Sequence, residues 1–157
     1  MVHMVDDKKQ EIAIVALSGG FDPPTPGHVS MIQDARSVGD VIIILNSDSW
    51  CDKVRWSGKR FIPFEIRKRI LELIPGVVAV YPAKDDDGTV CGSLRELSPD
   101  FFGNGGKRTA ANTPEFQTCK ELGIGMLWFL GEKVDQGCRD MLNVAVIEAN
   151  RDRPKYD

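Results

Sequence analysis

The stretch SGGFDPPTPGH, residues 18–28, joins two segments with different hydrophobic patterns. Residues 12–17 before it are apolar and rich in β-branched side chains, which predicts a buried strand. Residues 29–38 after it carry apolar positions at helical spacing and end at Gly39, a residue that suits the C-terminus of a helix. The stretch is therefore a strand-to-helix turn, the basic unit of an α/β fold.

The alternation of strand and helix patterns continues along the chain. Residues 41–45 are apolar at every position, which indicates a strand buried on both faces and hence a parallel sheet. Residues 63–74 predict a helix with one apolar stripe, made of Phe64, Ile66, Ile70, Leu71 and Ile74. The remaining patterns predict strands at 77–81, 100–102 and 126–130, and helices near 93–97, 114–122 and 138–149.

This order predicts the fold class α/β, with a single doubly wound, mostly parallel Rossmann-like sheet of about five strands and helices on both faces. Ligands of such sheets bind beyond the carboxyl ends of the strands, where the turn at 18–28 lies. Gly19 and Gly20 would let the backbone approach a bulky anion. The helix that starts near Gly27 and His28 would aim its N–H groups at the same place, so the turn predicts a phosphate site.

The composition of the 157-residue chain is that of an ordinary globular domain, with 42% hydrophobic and 27% charged residues. It predicts one domain at 11–150, a flexible polar N-terminus at 1–10 and a polar tail at 151–157. No run reaches the ~20 apolar residues of a membrane span, and the first residues lack the apolar core of a secretory signal, so we expect a cytoplasmic protein. The net charge of -3 gives no basic footprint for nucleic acid.

The cysteines and acidic residues do not suggest a metal site. Cys51, Cys91, Cys119 and Cys138 lie far apart with no CxxC pair, which predicts reduced, packed thiols. The run KDDDG at 84–88 is predicted to be a solvated turn before a glycine. No metal ligands are therefore assigned.

The segment GGFDPPTPGH resembles the signature of the cytidylyltransferase-like nucleotidyltransferase superfamily, in which a first strand leads into a G-x-F-D-P-x-[HT]-x-G-H turn. Later segments are similar to those of the same enzymes, in the same order: VIIILNSDSW, FIPFEIRKRIL and LSPDFFGNGGKRTAANTPEFQTCKELGI. The similarity extends over most of the chain. It implies transfer of a nucleoside monophosphate from a triphosphate to a small phosphorylated or hydroxylated metabolite, with release of pyrophosphate.

The resemblance implies roles for the residues of the turn. His28 contacts the nucleotide phosphates, and Thr25, in place of an earlier histidine, donates a hydrogen bond to them. Phe21 packs beneath the turn, and Asp22 orders it through backbone N–H groups, with a metal contact left open. The remaining nucleotide-binding residues of the turn are Gly19, Gly20 and Gly27.

Two later segments complete the implied site. After the second strand, a lysine reaches the triphosphate or the acceptor phosphate; Lys53 aligns best, with Arg55 and Lys59 as alternatives. The resemblance assigns acceptor or phosphate contacts to Asn46, Asp48, Lys59 and Arg67. It also assigns ribose, base or phosphate contacts to Asn104, Gly105, Gly106 and Arg108, with Glu115 as an alternative partner of Arg108.

The sequence departs from its relatives at two places. Lys107 stands where an aspartate is usual, and the serine- and threonine-rich stretch before the last helix is missing. Arg139 is the predicted substitute for the missing phosphate contacts, together with Lys133 and the amide of Gly137.

The resemblance also implies Mg²⁺ bound with the nucleoside triphosphate, and a homodimer. CTP is the first predicted nucleotide, and ATP is the alternative that Thr25 favours. A third interpretation is a nucleotide-binding module without turnover, which Lys107 and the missing hydroxyls favour. Because the sequence offers no activated nucleophile, we expect direct transfer without a covalent enzyme intermediate.

Overall fold

The computed structural model describes residues 11–131 of the chain. Its strands are β1 (Ile14–Gly19), β2 (Asp40–Leu45), β3 (Val77–Pro82), β4 (Phe101–Gly105) and β5 (Gly125–Leu130). Its helices are α1 (Pro26–Arg36), α2 (Asp48–Val54), α3 (Phe64–Glu72), α4 (Cys91–Leu97) and α5 (Phe116–Leu122), with a short 3₁₀ turn at Ala110–Asn112.

The five strands form one parallel sheet in the order β3-β2-β1-β4-β5. The chain builds outward from β1 to β3 and then crosses to β4 on the other side of β1. Leu17 of β1 accordingly pairs with Ile43 of β2 on one side and with Gly103 of β4 on the other. The predicted doubly wound α/β class is confirmed, and strand order reverses between β1 and β4.

Each face of the sheet carries its own apolar core. On one face Leu17 and Ile43 pack with Ile32 of α1 and Leu71 of α3. On the opposite face the strands meet α4 and α5, through a cluster that contains Ala16, Ile42, Ile44, Leu94 and Cys119. Strand β2 is buried on both faces, as its unbroken apolar run predicts.

Helix α2 was not predicted, because the sequence pattern after β2 indicated a loop. Ser47 caps this helix, and its Oγ accepts the N–H of Trp50 at 3.1 Å. Asp48 lies in the first turn, where a negative charge opposes the helix dipole favourably. A serine followed by an aspartate was the available signal for a helix start.

The predicted apolar stripe of α3 is partly wrong. Leu71 is buried, but Ile66 and Ile70 are 47% and 38% exposed. The side chain of Arg67 takes the core-facing position and is completely buried. Hydrophobic spacing alone cannot reveal this arrangement, because the partners of the guanidinium come from distant loops.

Several predictions fall on residues that the structure does not describe. These are the N-terminal segment 1–10, the helix near 138–149, the tail 151–157, and the residues Lys133, Gly137, Cys138 and Arg139. Within residues 11–131, no helix has both the length and the apolar character needed to cross a bilayer.

Candidate active site

A cavity of about 580 Å³ opens at the carboxyl ends of β1 and β4, where strand order reverses. Many of the predicted site residues line it together: Gly19, Phe21, Thr25, Gly27, His28, Asn46, Asn104, Gly105, Gly106 and Arg108. Cavities at this position are the usual ligand sites of doubly wound sheets. The cavity is therefore the candidate active site.

His28 and Thr25 hold each other at the start of α1 in a capping box. The backbone N–H of Thr25 donates to Nδ1 of His28 at 3.0 Å, and the His28 N–H points to Oγ1 of Thr25 at 3.4 Å. Because Nδ1 accepts a hydrogen bond, the proton of the neutral ring is on Nε2. His28 is thus oriented by the cap and retains one ring donor for a ligand.

Burial keeps the His28 ring neutral. Desolvation lowers the pKa of His28 below its ordinary value of 6.5. The ring of Phe21 lies beside it, with ring centroids 4.8 Å apart and planes inclined at 60°. At neutral pH the site therefore offers a neutral ring N–H donor, together with the backbone N–H of Gly27, since Pro26 carries no N–H and the His28 N–H is used in the cap.

Thr25 has a different immediate role from the predicted phosphate contact. Its Oγ1 lies 3.1 Å from Nδ1 of His28, and Thr25 as a whole is 8% exposed. The hydroxyl is therefore engaged in the helix cap and in fixing the ring. A direct contact with phosphate stays a prediction.

Gly19, the last residue of β1, and Gly20 after it make room for the protein's own side chains. A Cβ at Gly19 would lie 3.1 Å from the ring of Phe21. A Cβ at Gly20 would lie 3.2 Å from the sulfur of Cys51 and 3.2 Å from the ring of Trp50. The sequence analysis predicted that these glycines let the backbone approach an anion. In the structure they give space to the side chains of Phe21, Trp50 and Cys51.

The carboxyl end of β4 and the residues after it form another wall of the cavity. Nδ2 of Asn104 donates to the carbonyl oxygen of Phe102 at 3.3 Å, which orients the amide. Gly106 has a φ of +60°, a conformation that favours glycine. The chain turns there toward Lys107 and Arg108, which bring positive charge to the cavity wall.

Arg108 and Glu115 have separate partners in the structure. Nη1 of Arg108 donates to the carbonyl oxygen of Asn112 at 2.9 Å. Glu115 accepts the backbone N–H of Val90 at 3.0 Å and so ties the loop after β3 to the loop before α5. Arg108 is therefore held at the cavity wall by a backbone carbonyl, and the alternative pairing with Glu115 is not the one found.

Asp85 organises the loop after β2, although its acidic run suggested a solvated turn. Asp85 is only 7% exposed. Its carboxylate accepts Nδ2 of Asn46 at 3.0 Å and both the N–H and the hydroxyl of Ser47 at 2.8 Å. The prediction of a solvated turn is therefore wrong for Asp85. Its place directly beyond the carboxyl end of β3 was the overlooked signal.

A smaller cavity of about 180 Å³ lies on the other side of the turn. It shares Phe21, His28 and Trp50 with the larger cavity and is also lined by Gly20, Asp22, Cys51, Val54 and Arg55. Nη2 of Arg55 lies 3.3 Å from the Asp22 carboxylate, and the Arg55 side chain is 11% exposed. An anion in this cavity would therefore meet His28 and a guanidinium that is already paired with the Asp22 carboxylate.

Lys53, the preferred lysine of the sequence analysis, and Lys59, one of its two alternatives, are exposed and line neither cavity. Lys53 lies in the last turn of α2, the helix that the sequence analysis took for a loop. Because residues 48–54 form helix α2, Arg55 and not Lys53 reaches the turn at residues 18–28. The structure thus brings Arg55, the weaker alternative, beside His28 in place of the preferred lysine.

Asp22 orders a distant segment rather than its own turn. Its carboxylate is 4% exposed and accepts the backbone N–H groups of Phe61 at 2.9 Å and Ile62 at 2.6 Å. Together with the Arg55 ion pair, these bonds connect the turn after β1 to the segment before α3.

Arg67 is a structural residue in this fold, contrary to the predicted phosphate contact. Its Nη1 donates to the carbonyl oxygens of Gly20 at 2.7 Å and Asn46 at 2.9 Å. Nε donates to the carbonyl oxygen of Ile62 at 2.9 Å, and Nη2 to the carboxylate of Asp48 at 2.8 Å. The buried guanidinium therefore holds three loops together, and Asp48 serves as its charge partner.

The described residues contain no group of three His, Cys, Asp or Glu side chains that could hold a metal ion. Cys51, Cys91 and Cys119 are free and buried, and burial raises the pKa of both Cys51 and Cys119 to about 11. Such thiols are protonated and unreactive at neutral pH.

Residues 16–136 match the family model described as Cytidylyltransferase-like. The match covers both walls of the cavity and most of the chain. The chain belongs to the cytidylyltransferase-like family.

Two curated relatives agree with this assignment. The chain is 36% identical over 111 residues to the bifunctional protein HldE of Streptomyces coelicolor, which covers 70% of the chain and 24% of HldE. It is 31% identical over 85 residues to an FAD synthase of Archaeoglobus fulgidus, which covers 54% of the chain and 59% of that protein. The chain thus spans about a quarter of the length of HldE.

A solved structure shares the fold. The crystal structure of a lipopolysaccharide core biosynthesis protein from Thermoplasma volcanium superposes with a TM-score of 0.63 at 20% identity, and covers 80% of the chain and all of that protein. At this identity the likeness concerns the cytidylyltransferase-like fold alone.

Proposed function

We propose that the chain transfers a nucleoside monophosphate from a nucleoside triphosphate to a small acceptor. An acceptor oxygen attacks the α-phosphorus, the bond to the bridging oxygen of the β-phosphate breaks, and pyrophosphate leaves. The geometry of His28 carries this proposal, since a capped, neutral ring with its donor on Nε2 lines a cavity beside the start of α1. Donors fixed before the reaction stabilise the charge that develops on phosphate oxygens.

The cavity walls support an orientation for the nucleotide. The phosphates lie against the start of α1, where the His28 ring and the backbone N–H of Gly27 provide donors. The nucleoside lies toward Asn104, Gly105 and Gly106, where exposed backbone permits close contact with ribose or base. Lys107 and Arg108 on the same wall add positive charge. Magnesium enters as part of the triphosphate substrate, which suits an ion that retains most of its water ligands.

The smaller cavity is our proposed position for the acceptor. It meets the larger cavity at His28, so an acceptor held there lies next to the α-phosphate. Arg55 gives this cavity a guanidinium, which suits a phosphorylated or otherwise anionic acceptor. Direct attack then needs no covalent enzyme intermediate, because positioning and charge neutralisation supply most of the rate enhancement in such transfers.

ATP is our preferred nucleotide, and CTP is the second candidate. The similarity to an FAD synthase favours ATP, because FAD contains an adenylate group. The description of the family model favours CTP. A cytoplasmic location fits the three free, buried thiols, which are typical of reducing compartments.

Binding measurements with the full chain test the proposal directly. Calorimetric titration with the magnesium complexes of ATP and CTP should show one site, with tighter binding of ATP. A nucleotide at about 100 times its dissociation constant should raise the free energy of unfolding by about 2.7 kcal/mol. If neither nucleotide binds, the proposed function is wrong.

Turnover distinguishes an enzyme from a binding module. Pyrophosphate release with a panel of phosphorylated and hydroxylated acceptors is the assay, and labelled pyrophosphate should not exchange into ATP without an acceptor. Tight nucleotide binding without pyrophosphate release from any acceptor would favour a module that has lost turnover, the interpretation that Lys107 supports. Exchange without an acceptor would instead indicate a covalent intermediate.

A further inference from the structure

Phe21, His28 and Trp50 line both cavities and so form the boundary between them. Phe21 and His28 belong to the turn at 18–28, and their ring centroids are 4.8 Å apart. Trp50 comes from the other side of the boundary, in the first turn of α2. Within α2, which the structure describes completely, Trp50 alone lines both cavities. Its indole ring therefore lies where the proposed positions of the nucleotide and the acceptor meet.

Trp50 is held in place through both its backbone and its ring. Its backbone N–H donates to Oγ of Ser47 at 3.1 Å, and the same hydroxyl donates to the buried carboxylate of Asp85 at 2.8 Å. On the ring side, a Cβ at Gly20 would lie only 3.2 Å from Cζ3 of the indole, so the ring packs directly against the backbone of the turn. A side chain supported in this way forms a preorganised wall.

We propose that Trp50 is a specificity-determining residue, which excludes water from the junction of the two cavities and so reserves the α-phosphorus for the acceptor. This inference rests on the proposed function. When no acceptor is bound, water is the competing nucleophile. Its oxygen would attack the α-phosphorus, the bond to the bridging oxygen of the β-phosphate would break, and the products would be a nucleoside monophosphate, pyrophosphate and a proton. Closing a site against water suppresses side reactions of this kind.

The chemistry of the three side chains at the junction supports the exclusion of water. The indole N–H is only a donor, and the ring of Phe21 has no polar atom, so neither side chain can take a proton from water. In His28, Nδ1 already accepts the Thr25 N–H, and Nε2 carries the ring proton. The three side chains thus offer water no base. Because positioning dominates such transfers, the bulk of the indole ring decides which oxygen reaches the α-phosphorus.

Hydrolysis of magnesium ATP by the full chain without an acceptor tests the proposal, because the probe is water itself. At saturating nucleotide, the rate of AMP formation should rise at least about tenfold in Trp50→Ala. It should rise less in Trp50→Leu and least in Trp50→Phe, in the order of the side-chain volume that remains. The affinity for magnesium ATP should change little, because Trp50 is one of many residues that line the larger cavity. Removal of a merely structural side chain would lower the rate of hydrolysis and not raise it.

Trp128→Ala is the matched control for this experiment. Trp128 is half-buried like Trp50, but it packs against Phe116 and lines neither cavity. Its removal should leave hydrolysis without an acceptor at the wild-type rate, even where it lowers the melting temperature.

The outcomes separate this inference from the proposed function. A Trp50→Ala protein that binds magnesium ATP and hydrolyses it no faster than the wild type would overturn the role of Trp50 alone, and an equal rise in Trp128→Ala would do the same. Trp50→Leu decides the question in the same way if the alanine variant does not fold. A wild-type chain that binds neither ATP nor CTP would instead contradict the proposed function itself.

Discussion

The Nδ1 atom of His28 lies 3.0 Å from the backbone nitrogen of Thr25, so the residue proposed to contact the phosphates also closes the cap of α1. One ring nitrogen serves the fold, and the other is left as a donor for chemistry. Variants that separate the two nitrogens can therefore separate stability from turnover.

His28→Asn should retain most of the stability and lose most of the activity. The asparagine carboxamide oxygen can accept the Thr25 N–H in place of Nδ1, but the side chain has nothing in the place of Nε2. We expect turnover to fall about 10²–10³-fold, as when one donor to a developing charge is removed. His28→Ala should lose about 1 kcal/mol of stability in addition, because the Thr25 N–H loses its acceptor and the capping box is reduced to the Thr25 side chain. Denaturant unfolding and pyrophosphate release measure the two effects, and near-normal turnover of His28→Asn would contradict the role of Nε2.

The lowered pKa of His28 predicts how stability depends on pH. In the unfolded chain the ring titrates near 6.5, whereas burial lowers the pKa in the folded chain. Between the two values, only the unfolded chain binds the proton. The free energy of unfolding should therefore be constant with respect to this group above pH 6.5 and should fall as the pH drops below it.

Proton NMR of the imidazole and urea unfolding at several pH values check this dependence. The wild type should lose more stability below pH 6.5 than His28→Asn, which has no titrating group at this position. A ring that titrates above 6.5 in the folded protein would show that a negative partner outweighs desolvation.

Asp85→Ala should destabilise the protein by about 2–3 kcal/mol. The substitution leaves the amide of Asn46 and two donors of Ser47 without their acceptor, and unsatisfied buried donors carry costs of this size. Asp86→Ala is the matched control. The carboxylate of Asp86 is exposed, so its removal should change the stability little. Equal effects of the two substitutions in thermal unfolding would contradict the assigned role of Asp85.

Arg67→Met should destabilise the fold by about 3–5 kcal/mol, because it removes a buried charge that holds three carbonyl oxygens and a carboxylate. The control Lys68→Met, on the same helix, should have a small effect because that side chain is half-exposed. Affinity for magnesium ATP, measured well below the melting temperature, should be unchanged in the folded fraction. A selective loss of affinity in a folded Arg67→Met protein would instead support the phosphate contact predicted from the sequence.

Local patterns predicted the fold and one wall of the candidate site. The alternation of strand and helix spacing, the unbroken apolar run of β2 and the turn at 18–28 are all properties of neighbouring residues. The orientation of the His28 ring is also a local property, because its partner Thr25 lies only three positions before it. Residues such as Asn104 and Gly106 could be predicted for a related reason, because they lie at the carboxyl end of a strand and directly after it, in a recognisable segment.

The sequence by itself determined which segments become strands and helices, where the larger cavity lies and that a histidine lines it. Only the tertiary structure decided which charged side chains line the cavity and which are buried and stabilise the fold. Asp85 lies 39 positions from Asn46, and Arg67 lies 47 positions from Gly20, yet both pairs are in hydrogen-bond contact. Burial of a charged group is favourable only where such distant partners converge on it. For that reason hydrophobic spacing, which reports on local geometry, placed Ile66 in the core and missed Arg67.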